Sequence, residues 1–445
     1  MKLHVKKLPI ILPLLLVAAL LIASALSLRF GRDSAAEHTD LGQKYLNDMN
    51  YSGAITEFLH SLSLDPTAQD ARLGLAEAYI ASGSPELAAD ILAPLTEANS
   101  PEAYRLLIDS QRETDPSQAL LTAQKLVEQT DSEEDYNVRD ELLARVLSEP
   151  HSYARGTDQQ LVIYGGELHS AGSNTLGQLG TEQFLATERT QDGFRPADFP
   201  GEAARAYCGG RTSYVVDRDG NLWAAGENRW GQLGMRYASA VPESGWTQIV
   251  DTGDVADVSG SVGTLYILKT DGSLWYAGQG GVAELRRLGE LGPVAALASG
   301  DRQTAVLTLG GELYVSDGNS PLRWTRQARH VKNFCFGAGQ LIWVTEDDRI
   351  VFQNSSLPLP DTWIWDSQGV APGFAVRDMA AGANGLLLLD TAGRLWRVFD
   401  GQAYERDGVP VANIYSAGES VVVELEDGTA ALWDLSRPDF EEIAL

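Results

Sequence analysis

Two eight-residue segments of this 445-residue chain are near-copies of each other, and they constrain the fold more than any other feature. Ser173–Gly180 and Glu227–Gly234 both have asparagine as their second residue and both end in Gly-Gln-Leu-Gly. Each segment follows a short apolar run that opens with a glycine turn, so the repeating unit is longer than the loop itself. Repetition of a unit this long indicates a repeat architecture.

Two further markers recur along the second part of the chain. The turn marker occurs seven times, at Gly165–Leu168, Asp219–Trp223, Asp271–Trp275, Gly310–Tyr314, Asp347–Ile350, Ala392–Trp396 and Asp427–Ala430, and the fifth copy lacks glycine. A second marker glycine lies a short distance upstream of each turn, at Gly156, Gly209, Gly260, Gly300, Gly337, Gly382 and Gly418. The equal number of markers predicts seven structural repeats.

The residues between each marker and its turn are apolar and β-prone, as in Leu265–Leu268 and Val421–Val423. Each repeat therefore predicts a strand, a tight hairpin, a second strand, a loop and an outer strand. A radial array of such units leaves no long exposed sheet edge. We therefore predict an all-β seven-bladed propeller over residues 151–445.

The run from Leu222 to Gly234 reads Leu-Trp-x-x-Gly-x-Asn-x-x-Gly-Gln-Leu-Gly. This pattern resembles the regulator of chromosome condensation repeat family of seven-bladed propellers. The resemblance covers residues 151–445 and is specific in the first two repeats, whereas Gly278–Gly281 is only a remnant of the loop. Members of that family include a chromatin-bound exchange factor for a small GTPase, a plant photoreceptor and secreted inhibitors of β-lactamase. The resemblance therefore implies a binding surface.

The N-terminus carries an uncharged stretch of 21 residues, Leu8 to Leu28. A helix of this length spans a hydrocarbon core of ~30 Å. Three lysines precede it, which predicts a cytoplasmic N-terminus and an extracytoplasmic remainder. We interpret residues 1–32 as an uncleaved signal anchor. The alternative is a secreted protein cleaved near Ala25, because Ala23–Ala25 forms a small-x-small site.

The chain has a formal net charge of −27, and the segment 33–150 contains 23 acidic against 7 basic residues. Neutralising phosphates requires a basic face, so nucleic acid is disfavoured as a partner.

The same segment changes to helical periodicity and repeats at 34 residues. Gly42, Tyr45, Ala54 and Phe58 recur 34 residues later as Ala76, Tyr79, Ala88 and Leu92. This spacing resembles the tetratricopeptide repeat, in which paired antiparallel helices stack into a solenoid. We predict such helical repeats over residues 33–150, with a shortened third copy in Glu102–Gln129 and a capping helix in Asp131–Ser148.

The resemblance implies that the first helix of each repeat lines a concave groove for a peptide. The groove candidates are Thr39, Gln43, Leu46 and Asn47 in the first repeat and Asp70, Leu73, Glu77 and Ile80 in the second. Their mixture of apolar and acidic groups favours a basic amphipathic segment as the partner. The alternative is that they are ordinary solvated helix positions.

Catalytic and metal-binding patterns do not emerge from the sequence. The six histidines are scattered without metal-like spacing, and no nucleophile lies beside a base. We therefore predict a non-enzymatic protein with no cofactor and no metal. Cys208 and Cys335, three repeats apart, are expected to be free buried thiols.

Tryptophans divide into two groups. Those directly after a turn predict packing within the propeller, whereas Trp230, Trp363 and Trp365 fall outside the repeat and are candidate partner contacts.

We predict a membrane-anchored extracytoplasmic scaffold for an unidentified protein partner. One alternative is a glycan- or cell-wall-binding propeller that uses Trp363 and Trp365. Another is an intracellular regulator of a small GTPase.

Overall fold

The computed structural model describes part of the chain, namely residues 34–147, 151–181, 190–249, 252, 254–261, 263–289, 291–300, 303–316, 322–337, 339–354, 357–406, 408–439 and 441–442. The predicted span Leu8–Leu28 and the alternative cleavage site near Ala25 lie outside these residues. In the part that is described, none of the helices combines the length and apolar character needed to cross a membrane. By contacts, one unit comprises residues up to 113 with 125–135, and the other comprises 114–124 with 136–445.

Helices form the first part of the described chain. They are α1 (Ala35–Asn47), α2 (Tyr51–Leu64), α3 (Gln69–Ala81), α4 (Glu86–Glu97), α5 (Pro101–Gln111), α6 (Pro116–Thr130) and α7 (Glu133–Leu147). The first helix begins with a reciprocal cap, because Ser34 Oγ accepts the Glu37 N–H while Glu37 Oε2 accepts the Ser34 N–H. This cap satisfies two amides that lack helical partners.

The centre of the first unit is an aromatic ring held between two glycines. Phe58 of α2 is fully buried. A Cβ added to Gly42 of α1 would lie 2.7 Å from the ring Cε1, and one added to Gly74 of α3 would lie 2.3 Å from the ring Cζ. The small residue predicted at Gly42 is therefore required by the ring, whereas Gly74 was not singled out from the sequence.

Strands form seven sheets in the described part of the second unit, one per blade. Blades one to three contain β1 (Tyr153–Arg155), β2 (Gln159–Tyr164), β3 (Glu167–Ser173), β4 (Thr190–Pro196), β5 (Ala203–Gly209), β6 (Thr212–Asp217), β7 (Leu222–Asn228), β8 (Ser239–Gln248), β9 (Val255–Ser261), β10 (Thr264–Lys269), β11 (Leu274–Gly278) and β12 (Val282–Leu288). Blades four and five contain β13 (Val294–Ser299), β14 (Thr304–Thr308), β15 (Leu313–Ser316), β16 (Trp324–Ala328), β17 (Val331–Gly337), β18 (Gln340–Thr345), β19 (Ile350–Phe352), β20 (Ile364–Asp366) and β21 (Gly369–Ala371). Blades six and seven contain β22 (Val376–Ala381), β23 (Gly385–Asp390), β24 (Leu395–Phe399), β25 (Gln402–Arg406), β26 (Val411–Ala417), β27 (Ser420–Leu425), β28 (Ala430–Trp433) and β29 (Glu441–Glu442).

The predicted turns connect the second and third strands of the blades. Gly220 and Gly428 have φ of 81° and 84°, which side chains rarely adopt. In the glycine-free copy, Asp348 takes the same left-handed conformation with φ of 60°. Aspartate tolerates this region better than most residues, so the fifth copy keeps the turn without glycine. The seven-bladed propeller is therefore confirmed.

The upstream marker glycines lie where innermost strands of neighbouring blades meet. A Cβ on Gly209 of blade two would lie 2.4 Å from Gly260 Cα of blade three. One on Gly337 of blade five would lie 2.2 Å from Ala381 Cβ of blade six. The absence of a side chain at these positions therefore allows the blades to approach each other closely.

The ring closes by packing between the first and last blades. Glu424 of blade seven accepts hydrogen bonds from the backbone N–H and hydroxyl of Ser152, which directly precedes β1. Tyr415 Oη accepts the Tyr153 N–H at 3.0 Å and lies 3.1 Å from the Tyr153 carbonyl oxygen. Among the described residues, each sheet is formed by consecutive strands and no sheet combines the two chain ends. The described contacts that close the ring are therefore side-chain contacts between the first and last blades.

Candidate interaction surfaces

The two near-identical loops are structural elements between blades. Asn228 Oδ1 accepts the Leu233 N–H at 3.1 Å, and Asn174 Oδ1 accepts the Leu179 N–H at 3.0 Å. Both leucines are buried. The Gln178 carbonyl of the first loop accepts the Ser213 hydroxyl of blade two. The motif therefore fixes loop shape and holds neighbouring blades together.

Two of the tryptophans directly after the turns donate to an aspartate of the same hairpin. Trp223 Nε1 donates to Asp217 at 2.8 Å, and Trp396 Nε1 donates to Asp390 at 3.0 Å. Asp217 also accepts bonds from Asn221. Its carboxylate is therefore occupied by the hairpin, and the described residues contain no group of carboxylates, histidines or cysteines that could hold a metal ion.

A polar cavity of about 1620 Å³ lies at the centre of the ring and is lined by all seven innermost strands. In six blades the innermost strand has a register shift after its first residues. The residues after the shift are Arg205, Asp257, Ala296, Asn333, Asp378 and Asn413, and all of them except Arg205 line the cavity. A bulge redirects a side chain, which here places polar groups around the channel.

Polar side chains at the shifted positions form hydrogen bonds between neighbouring blades. Asn333 Nδ2 donates to Asp378 Oδ1 at 2.8 Å, which joins blades five and six. The Arg205 guanidinium of blade two donates to the Val255 and Ala256 carbonyls of blade three. These contacts join neighbouring blades, so the polar residues that form them stabilise the ring.

Sequence reasoning missed this set of residues. The signal that could have found them is a valine two residues before a polar residue, which recurs at Asp257, Asn333, Asp378 and Asn413. This pattern was not recognised because, in a regular strand, the valine and the polar residue two positions later would lie on the same face of the sheet. Only the bulge turns the two side chains to different sides.

Two carboxylates of the second unit have pKa values raised to about 6. Burial raises the pKa of Asp115 to about 6, although Lys332 Nζ lies 3.5 Å from its Oδ2. Burial also raises the pKa of Asp257 to about 6, against the hydrogen bond from the Val258 N–H. Lys332 Nζ forms its closer contact with Asp348 Oδ1, at 2.7 Å. Asp115 and Asp257 therefore bind protons more tightly in the folded chain than in the unfolded chain.

We expect Asp257→Asn to stabilise the propeller at pH 7.5 and to leave its stability nearly unchanged at pH 4.5. A pKa raised from 3.8 to about 6 means that the folded state takes up a proton as pH falls. The stability contributed by this proton is fully present below pH ~4 and is lost as pH rises through ~6. Because Asp257 is only half-buried, we expect about 1–2 kcal/mol at pH 7.5.

Urea denaturation of the full chain at both pH values measures this effect. Asp219→Asn is the matched control, because it removes the same charge at an exposed turn. An equal gain for Asp219→Asn would assign the effect to the net charge of the chain. A loss of stability for Asp257→Asn at pH 7.5 would contradict the prediction.

The groove candidates of the first unit lie on α1 and α3. Four of them are exposed, namely Gln43, Asn47, Asp70 and Glu77. Gln43 Nε2 donates to Asn47 Oδ1 at 3.4 Å. Leu73, Thr39 and Ile80 are half-buried, and Leu46 is buried in the core around Phe58. The exposed set is therefore more polar than the sequence-based set.

The structure separates the three candidate tryptophans of the propeller. Trp230 is 46% exposed and covers Gly263 of the next blade. Trp365 is 48% exposed, whereas Trp363 is half-buried and packs edge-to-face on Phe374 against the hydrophobic core. Trp363 and Trp365 therefore do not form a pair of exposed stacking platforms.

Both cysteines are free thiols, as predicted; Cys335 is buried and Cys208 is half-buried. Burial raises the pKa of each thiol, Cys208 and Cys335, to about 12. A thiolate is the reactive form, so neither residue is a suitable nucleophile near neutral pH.

Comparison with known proteins supports both folds. Residues 48–108 match the tetratricopeptide repeat family. No curated protein sequence matches the chain significantly. Prp20p from Saccharomyces cerevisiae, described with its binding to Gsp1p and histones, is 15% identical with a TM-score of 0.50, over 68% of this chain and 89% of Prp20p.

Two further solved structures show weaker similarity. Yeast RCC1 (Prp20), solved with Kap60, is 16% identical with a TM-score of 0.49, over 66% of this chain and 86% of its own. Human WBSCR16 is 16% identical with a TM-score of 0.39, over 61% of this chain and 70% of its own. The Prp20p match supports the predicted resemblance at the level of the propeller fold.

Proposed function

We propose that this protein is a non-enzymatic interaction scaffold, anchored in a membrane by residues 1–32 and exposing both repeat modules outside the cytoplasm. The anchor is proposed from the uncharged stretch Leu8–Leu28 and the preceding lysines. The repeat modules support a binding role because helical solenoids and propellers present broad surfaces. Prp20p, of the same propeller fold, is described as a protein-binding protein.

The observation that carries this proposal is the exposed face shared by α1 and α3. Gln43 and Glu77 occupy equivalent positions 34 residues apart, and Asp70 lies two turns before Glu77 on α3. Both carboxylates are exposed, while the backbone beneath is fixed by the buried Phe58. An acidic face on a rigid support attracts a basic amphipathic helix.

We expect a synthetic helical peptide of leucine and lysine to bind the full chain and to bind Asp70→Lys/Glu77→Lys at least about tenfold more weakly. Reversing both charges replaces attraction by repulsion, and like charges across an interface cost several kcal/mol. Fluorescence anisotropy of the labelled peptide measures the dissociation constants.

The control for the groove variant is Glu86→Lys/Asp90→Lys on α4. Glu86 and Asp90 are also exposed, so this variant changes the net charge by the same amount on a second helix of a repeat. Equal weakening by both variants would show that net charge alone attracts the peptide, and the groove would be rejected.

Protection of the propeller from protease added to intact wall-free cells would reject the extracytoplasmic location.

A further inference from the structure

The outer edge of blade five differs from the other described blades. Its sheet contains five strands in the order β17, β18, β19, β21, β20, so the chain passes to the outermost position and then returns. The outermost strand β20 exposes all three of its side chains, and Ile364 and Trp365 are 62% and 48% exposed. A strand edge with large exposed apolar residues is a site for pairing with another strand.

The edges of other blades carry charge instead. Exposed charged residues occupy the outermost strands of blades one, three, four and six, for example Asp192, Glu284, Arg286, Arg326 and Glu405. Charged side chains on an edge strand oppose further pairing. In β20 the one charged residue, Asp366, is paired with Arg349, and the other two residues are large, apolar and exposed.

The segment that leads into β20 is fixed by packing against the hydrophobic core. Leu357 and Leu359 are 9% and 4% exposed, and with Trp363 they pack into the core cluster of blades five and six. Trp365 Nε1 donates to the Pro360 carbonyl at 3.2 Å, which orients the exposed indole. The position of the exposed edge strand is therefore fixed by contacts with the rest of the blade.

The register of the hairpin identifies the amide that faces outward. Asp366 pairs with Gly369 across a two-residue turn, and Trp365 pairs with Val370. In an antiparallel pair, hydrogen-bonded and non-hydrogen-bonded residues alternate, and the pair that closes a two-residue turn is hydrogen-bonded. The N–H and C=O of Trp365 therefore point away from β21, toward the open edge.

We propose that β20 binds an extended segment of a partner protein in which apolar residues alternate with lysine or arginine. The added strand would pair with the backbone of Trp365, and its apolar residues would contact the indole. Residues 346–371 contain five carboxylates, which face two cations: Arg349 pairs with Asp347 and Asp366, and Lys332 pairs with Asp348. The remaining negative charge favours a cationic partner. A second copy of this chain is disfavoured because pairing through β20 would bring together two regions of the same net negative charge.

This inference rests on the proposed scaffold function and is tested separately from it. The probe is a labelled ten-residue peptide of alternating valine and lysine, titrated against the full chain in mild detergent. We expect it to bind the wild type, with slowed amide exchange in residues 357–371, while the corresponding valine–glutamate peptide does not bind. Trp365→Ala removes the indole but keeps the amide, and it should weaken binding severalfold.

Trp365→Pro removes the outward N–H and should weaken binding about tenfold or more, because proline is tolerated where an edge amide faces solvent. Tyr164→Ala is the matched control, since Tyr164 is a 65% exposed aromatic in blade one. Unchanged affinity in both Trp365 variants, or unchanged exchange in residues 357–371, would overturn the inference. Concentration-dependent dimerisation that Trp365→Pro abolishes would also overturn it, because the occupant would be a second copy. If only this peptide fails while the groove peptide still binds, the inference is lost and the scaffold function stands.

Discussion

Replacing Phe58 by alanine should destabilise the helical repeats by about 3–5 kcal/mol, the range observed for removal of a fully buried phenylalanine. The ring fills the space between Gly42 and Gly74, and neither glycine has a side chain that could fill the cavity. A small solenoid loses stability in all its repeats when one interface is lost. Thermal unfolding followed by helical circular dichroism should therefore lose its first-unit transition or shift it strongly downward.

A second substitution makes this test specific to the ring. Gly74→Ala alone should be destabilising, because the new Cβ would lie 2.3 Å from the ring Cζ. In the Phe58→Ala background the same change should stabilise the helix, since alanine exceeds glycine in helix propensity by about 1 kcal/mol. If Gly74→Ala has the same sign in both backgrounds, Phe58 and Gly74 are not in contact and the packing is wrong.

Replacing Glu424 by alanine should lower the stability of the whole propeller by about 3 kcal/mol. Its Oε1 accepts hydrogen bonds from the Ser152 N–H, the Ser152 hydroxyl and the Tyr415 hydroxyl. Glu424 is 2% exposed, so these donors would be left without their acceptor in a buried site. Each buried donor without a partner costs about 1–3 kcal/mol.

The control for Glu424→Ala is Glu426→Ala, which removes an exposed carboxylate from the adjoining turn. Calorimetry should show one transition that moves to lower temperature in Glu424→Ala and stays in place in Glu426→Ala. A transition confined to the last blade would show that the seven blades do not unfold together. Equal stability of both variants would show that the contact with Ser152 does not close the ring.

The blade count could be predicted from the sequence because each hairpin requires an unusual backbone conformation. Only glycine, aspartate and asparagine tolerate positive φ readily, so Gly220 and Asp348 left a readable signal. The fifth strand of blade five had no such signal. Its hairpin turn uses Asp366–Gly369 in a stretch that follows a proline-rich segment, and short strands of three residues have no readable periodicity.

The candidate residues were predictable in kind but not in exposure. Trp363 and Trp365 are two residues apart and appear equivalent in the sequence, yet one packs on Phe374 and the other reaches solvent. Their difference arises because the segment crosses from the core to the sheet edge between them. Ring closure was equally hidden, since the contact of Ser152 with Glu424 joins residues 272 positions apart without a shared motif.

The construction of each blade from consecutive strands has a consequence for synthesis on the ribosome. Each ladder among the described strands is complete once the residues of its own blade have emerged, so strand pairing there does not wait for a distant part of the chain. Such local pairing keeps loop-closure entropy low during elongation. The contact of Ser152 with Glu424, by contrast, cannot form until the last blade has been made. A newly made chain therefore has an open ring with one apolar flank at each end until its final blade has been translated.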